Sequence, residues 1–267
     1  MNHDSKWTPG FRQPCRDGHP IMFLFPFAGG GASAFAPLVQ YLEENRAAFV
    51  PVTVQIPGHE SRFQEKPFTD LVKLSESTVD GLAPLLTERY YIYGHSMGSI
   101  LAWEFARACQ RKGLAGPEAL FLGAREPQHT IGSLEPLHQL PDREFITTIA
   151  ERYQTVPIQV LENDELLELI VPMMKADFQM LESYTSASGA LIKPDIHCIG
   201  ASDDSLVDAA NLPQWDRWTE GKVTTTVVKG GHFFLTTNTS ALGDFLIRQT
   251  RQRNPEAGQK KIIESYG

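Results

Sequence analysis

Cysteine is scarce in this sequence: three in 267 residues, at positions 15, 109 and 198. Scattered, odd in number and without metal-ligand spacing, they exclude a disulfide framework and a cysteine-based zinc site, and favour a reduced compartment. Cys109 and Cys198 fall in an expected helix and an expected strand, where they read as small buried apolar residues. No apolar run is long enough to span a bilayer. The one beginning at Ile21 is cut by Pro26, and the first twenty residues are polar and rich in Pro and Gly, unlike a signal peptide. A cytoplasmic protein with no membrane role is therefore expected. Positive charge is also in deficit, with 24 Lys plus Arg against 32 Asp plus Glu and a net charge of −8. With no Lys/Arg block in the core region, a nucleic-acid role is disfavoured. The cluster of basic residues from Arg248 to Lys261 reads as a solvated helix end. A glycine run at 29–31 lacks the Gly-Lys-Ser/Thr of a phosphate-binding loop.

What the chain does have is an alternation of strand and helix patterns. Short apolar runs at 21–25, 50–60, 90–93 and 119–123 read as strands, and 36–42 and 70–86 as helices, with Pro84 kinking or ending the second. From 130 to 185 the pattern is helical, with more Leu and Met than one buried face needs. Strand patterns return at 194–200 and 222–230, followed by a helix from about 240 to 251. The fold class is α/β: a mostly parallel sheet with helices on both faces. The domain organisation expected is a flexible arm over 1–20, one domain over 21–253 and a frayed tail over 254–267. Its helical insertion at about 130–185 would serve as a lid over an apolar channel or pack as ordinary core.

The chemistry centres on Tyr90-Tyr-Ile-Tyr-Gly-His-Ser-Met-Gly98. A strand runs straight into a helix there through G-x-S-x-G, the context of a nucleophile elbow. The two glycines relieve backbone crowding, and Ser96 is left exposed at a helix N-terminus that favours negative charge. A serine hydroxyl needs a base oriented by a carboxylate. On an α/β-hydrolase sheet these follow in the order serine, acid, histidine. Of eight histidines, His232 follows a late strand directly and is freed by Gly230 and Gly231; His95 should point away from the serine hydroxyl. For the acid, Asp203 and Asp204 stand side by side after the strand ending near Ile199, with Asp208 and Asp195 less well placed. The oxyanion would be held by the amides of Ala28, in the glycine-rich loop, and Met97, after the serine.

With these pieces assembled, the chain resembles the type II thioesterases that accompany nonribosomal peptide and polyketide synthases, of the α/β-hydrolase superfamily. The matching segments are FPFAGGGASAF (25–35), PGHESRF (57–63), YGHSMGSILAWEFAR (93–107), LPDREF (140–145), MMKADFQMLESY (173–184), DSLV (204–207) with Trp215 downstream, and GGHFFL (230–235). Together they run from about residue 20 to 250. The resemblance implies Ser96 as nucleophile, His232 as base and one aspartate of the 203–204 pair. Aligning Val207 and Trp215 with the family pattern selects Asp204, which is taken as the triad acid, although counting from Gly200 would select Asp203. It further implies hydrolysis of acyl or aminoacyl thioesters from the phosphopantetheine arm of acyl or peptidyl carrier protein domains, clearing misloaded or stalled groups. No metal and no cofactor are implied, and a monomer is expected. Vertebrate medium-chain fatty acyl thioesterases share the pattern, so termination of fatty acid synthesis is the alternative. The sequence departs from the family at His59, where members often carry Arg, and at Ser205, where they often carry Pro. Neither position belongs to the expected triad.

Overall fold

The computed structural model describes residues 5–11, 19–86, 89–131, 136–153, 161–185 and 191–253. Six strands, β1 (Ile21–Phe25), β2 (Val50–Thr53), β3 (Tyr90–His95), β4 (Ala119–Gly123), β5 (Asp195–Ala201) and β6 (Val223–Val228), form one sheet in the order β2-β1-β3-β4-β5-β6. Every pairing is parallel. Alternate residues of each strand feed opposite faces, as the two-residue period of a strand requires. Phe23, Phe25 and Ile92 join the core under helices α2 (Leu71–Leu82) and α3 (Met97–Arg111). Met22, Leu24, Tyr91 and Tyr93 join the core shared with α1 (Ala36–Glu44) and the last helix of the domain, Thr239–Arg253. Both faces of the sheet are thus covered, as the continuous apolar strands predicted. This is the α/β-hydrolase fold.

One strand departs from expectation in its extent. The run 50–60 pairs with β1 only near its start, because after Val54 the Gln55 amide donates to the Trp7 carbonyl (2.9 Å) rather than to the sheet. This contact also shows that residues 5–11, within the segment read as a loose arm, are docked: Trp7 is buried, with the Arg62 guanidinium stacked 4.2 Å from its ring centroid. Asp70 caps α2 by accepting from the Val72 and Lys73 amides, and the helix tightens into a 3-10 turn around Pro84.

Between β4 and β5 lie α4 (Asp142–Tyr153) and α5 (Asp164–Ser183). They share a separate small core, with Phe145, Ile146 and Ile149 of α4 against Leu167, Val171, Met174 and Phe178 of α5. The surplus of apolar residues on α5 is real: Leu169 remains 64% exposed. The chain order around the sheet reverses between β1 and β3. The loops leaving their carboxyl ends therefore diverge and open a crevice, the usual place for a ligand in an open parallel sheet.

Candidate active site

Ser96 lies at that crevice, between the end of β3 and the first turn of α3. Its backbone is held at φ 52° and ψ −111°, a conformation that non-glycine residues rarely adopt. The flanking glycines explain how so tight a turn closes. A Cβ on Gly98 would sit 2.2 Å from the Phe25 carbonyl oxygen, and one on Gly94 would sit 2.1 Å from the Gly98 carbonyl oxygen. Further bonds fix the turn: the Ser96 amide donates to the Gly123 carbonyl (2.8 Å), and the Ser99 hydroxyl sits between the Gly94 and Gly123 carbonyls.

The loop after β6 brings His232 to the serine, with Nε2 3.1 Å from Ser96 Oγ. Its Nδ1 lies 2.9 Å from Oδ2 of Asp204, whose side chain is fully buried. A carboxylate can only accept, so Nδ1 carries the proton and Nε2 is left with its lone pair towards the serine hydroxyl. Asp204 Oδ1 accepts the Leu206 amide (2.9 Å), which fixes the carboxylate. Asp203 is exposed, and its amide donates to the Gly230 carbonyl, pinning the two loops together. Of the adjacent pair, Asp204 faces the imidazole. Asp208 caps the 3-10 helix Ala209–Trp218 through the Ala210 amide, and Asp195 pairs with Arg253. Both lie away from Ser96–His232.

His95 points back beneath the site, as its place in the turn suggested. Its Nδ1 is 2.8 Å from the Tyr93 hydroxyl and its Nε2 2.9 Å from the His232 carbonyl oxygen. Burial, reinforced by the neighbouring His232, pushes its pKa down to about 3, so the ring is neutral. The carbonyl fixes Nε2 as the protonated nitrogen, and the tyrosine hydroxyl donates to Nδ1.

The candidate oxyanion amides lie on either side of the crevice. Met97 opens α3, where the first amides have no helical partner. Ala28 lines the cavity over Ser96. Among the described residues neither amide donates a hydrogen bond. The Gly30 amide donates to the Phe27 carbonyl (2.9 Å), closing a turn in which Gly29 takes φ +78°. A second loop, after β2, clasps this one: the Gln55 side chain accepts the Ala32 amide and donates to the His59 carbonyl, while Glu60 accepts from the Ser33 amide and hydroxyl. Sequence reasoning assigned these residues no role. The signal was there in the segment 57–63, whose polar side chains sit beside a glycine run that needs partners.

Above Ser96 and His232 is a cavity of about 350 Å³. The insertion helices wall it with Ile149, Tyr153, Met174 and Phe178, and the sheet side contributes Phe27 and Phe233. Arg125 also borders it; burial lowers its pKa to about 10, still far above neutrality. Among the described residues no group of His, Cys, Asp or Glu could hold a metal ion. No described helix is long and apolar enough to cross a membrane.

A family model described as a thioesterase domain matches residues 20–250. The chain belongs to the thioesterase family. It is 29% identical over 230 residues to the gramicidin S biosynthesis protein GrsT of Aneurinibacillus migulanus, covering 86% of this chain and 88% of that one. The type II thioesterase BorB from the borrelidin biosynthetic cluster superposes with a TM-score of 0.77 at 25% identity, over 92% of this chain and 98% of BorB. The human medium-chain S-acyl fatty acid synthase thioesterase is 27% identical over 222 residues, 80% of each chain. This thioesterase is accordingly a hydrolase acting on thioester bonds, with the fold of its relatives.

Proposed function

We propose that this thioesterase clears acyl or aminoacyl groups from the phosphopantetheine arms of carrier proteins in nonribosomal peptide or polyketide synthesis. Ser96, His232 and Asp204 would carry the reaction. The observation that supports this most directly is the line from Asp204 Oδ2 through His232 to Ser96 Oγ, at 2.9 and 3.1 Å, at the wall of a mainly apolar cavity. His232 Nε2 takes the hydroxyl proton as Ser96 Oγ attacks the thioester carbonyl carbon. The carbonyl electron pair moves onto oxygen, where the Ala28 and Met97 amides stabilise it; one such donor contributes about 3 kcal/mol. Collapse breaks the carbon–sulfur bond, and the thiolate leaves with the proton held by His232. Water then gives its proton to His232 and attacks the acyl carbon. The second collapse frees the acid and returns the proton to Ser96. Phosphopantetheine belongs to the substrate, so no cofactor enters.

The volume above the serine is near the lower end for small-molecule sites, which suits short acyl groups. The second reading, release of medium-chain fatty acyl groups, is favoured by the likeness to the human relative. Hydrolysis of a panel of acyl-loaded carrier proteins, beside free acyl-CoA, separates the two. An editing enzyme accepts many short acyl groups, whereas a terminating enzyme prefers a narrow band of longer chains. Ser96→Ala should abolish turnover while the protein stays folded, and unchanged turnover would overturn the assignment. Cytoplasmic location and a monomeric state complete the proposal, the second tested by sedimentation.

A further inference from the structure

Asp177 lies in the middle of α5, on an otherwise apolar face that includes Met174, Phe178 and Leu181, and is fully buried. Its Oδ2 accepts two hydrogen bonds: from the Gly29 amide at 2.7 Å and from His59 Nε2 at 2.9 Å. The other ring nitrogen of His59 lies 3.1 Å from the Pro57 carbonyl oxygen. With Asp177 ionised both partners of the ring accept, so both ring nitrogens donate and His59 is an imidazolium. His59 is itself buried, at 2% exposure. A cation and a carboxylate removed from water together persist only as a pair, and removing either one strands the other.

The consequence lies one residue along the chain. The Gly29 amide is held by Asp177, and the Phe27 carbonyl is held by the Gly30 amide. The peptide units on both sides of Ala28 are thereby fixed. Because N–H and C=O of a trans peptide point in opposite directions, holding the Phe27 carbonyl towards Gly30 aims the Ala28 amide the other way. The hold on Gly29 comes from α5, the same helix that puts Met174 and Phe178 on the cavity wall.

We infer that His59 and Asp177 are positioning residues for the Ala28 amide, and that their ion pair fastens the helical insertion to the glycine-rich loop only while His59 is protonated. The inference rests on the reading of Ala28 as an oxyanion donor. Two charged groups act on His59: Asp177 from α5, and Glu60 from its own loop; the glycine-rich loop contributes only the Gly29 amide at Asp177. Burial works against the charge, but Asp177, the Pro57 carbonyl and Glu60 outweigh it and raise the pKa above its ordinary value. A raised folded-state pKa means that the stabilisation is complete below the ordinary histidine value and disappears as pH rises through the folded value. The carboxylate retains the Nε2 proton, so loss of the charge empties Nδ1 and turns its lone pair towards the Pro57 carbonyl oxygen; the loop that carries His59 shifts, and the clasp on Gly29 loosens. The thioesterase therefore has an alkaline limb in kcat that originates at His59.

The test is kcat and KM for hydrolysis of a short acyl thioester by the full chain, from neutral to alkaline pH, with background subtracted using Ser96→Ala. In Asp177→Asn, kcat should fall on the order of tenfold or more, as for a displaced oxyanion donor, with KM changed by less than about threefold. His59→Gln should behave similarly at every pH. His59→Arg keeps a cation at all accessible pH values, so it should retain kcat and lose the alkaline limb. Thermal unfolding identifies any variant that fails to fold, and the remaining comparison then decides. A folded Asp177→Asn with wild-type kcat, or a folded His59→Arg with the wild-type alkaline limb, overturns the inference. If Ser96→Ala still turns over, the fault lies in the site assignment instead; if only the pair's variants are normal, it lies in the clasp.

Discussion

His95 Nε2 donates to the main-chain carbonyl of His232 across 2.9 Å, so the neighbour of Ser96 in sequence braces the residue whose imidazole faces Ser96 in space. This bond runs beneath the sheet edge from the β3 turn to the loop after β6. It ties the Ser96 turn to the His232 loop through a fully buried side chain. The Tyr93 hydroxyl on the other ring nitrogen fixes the tautomer needed for the bond.

Stability should fall in mild acid because of this arrangement. The His95 pKa is depressed from 6.5 to about 3, first by burial and then by His232. His197 is pushed down to about 4, by burial and then by Arg253. For both groups the unfolded chain binds a proton that the folded chain does not, so stability rises with pH across the interval and is lost as pH drops below 6.5. Each such group can cost up to about 1.4 kcal/mol per pH unit there. Calorimetric melting temperatures measured across this range should decline, and His95→Asn should flatten the decline. An unchanged slope in that variant would show that His95 is not the group responsible.

The strained serine makes a second prediction. With φ at 52° and ψ at −111°, Ser96 occupies a region open to glycine at little cost. Ser96→Gly should therefore stabilise the fold by about 1 kcal/mol in urea denaturation while removing activity. Gly98→Ala should do the reverse, since its Cβ would press on the Phe25 carbonyl at 2.2 Å; a loss above about 2 kcal/mol is expected. A neutral Gly98→Ala would mean that the elbow has room to relax.

The two neighbouring aspartates should separate cleanly. Asp204→Asn removes the acceptor that sets the His232 tautomer, and kcat should drop by a factor on the order of 10³ to 10⁴. Asp203 is exposed and uses only its backbone at the site, so Asp203→Asn should stay within about twofold of wild type. Comparable losses from both would point to a shared role that the geometry does not provide.

Much of this molecule was legible in the linear chain because its signals are local. Five-residue apolar runs such as Ile21–Phe25 and Ala119–Gly123 form buried parallel strands wherever helices cover both faces. The crowded turn at Gly94–Gly98 follows from backbone sterics within five residues, so Ser96 could be named from its neighbours. His232 followed from the order of strands and loops.

What sequence could not decide depended on groups far apart in the chain meeting in three dimensions. Asp203 and Asp204 are equivalent as letters, and only the family resemblance selected Asp204; the turn after β5 is what aims that carboxylate at the imidazole. Asp177 stands among apolar residues on a helix, and only the packing of that helix on the glycine-rich loop and on His59, 118 positions earlier, gives its charge a partner. Residues 5–11 carry little apolar periodicity, yet the Trp7 carbonyl replaces a strand partner for Gln55. In each case a buried polar group had to find a hydrogen-bond partner, and the identity of that partner is set by tertiary proximity rather than by spacing in the chain. The sequence alone determined the strands, the tight turn at Ser96 and the order in which Ser96, the aspartate pair and His232 follow one another; the folded structure decided which carboxylate meets the imidazole and what holds the Gly29 amide, because those contacts join residues far apart in the chain.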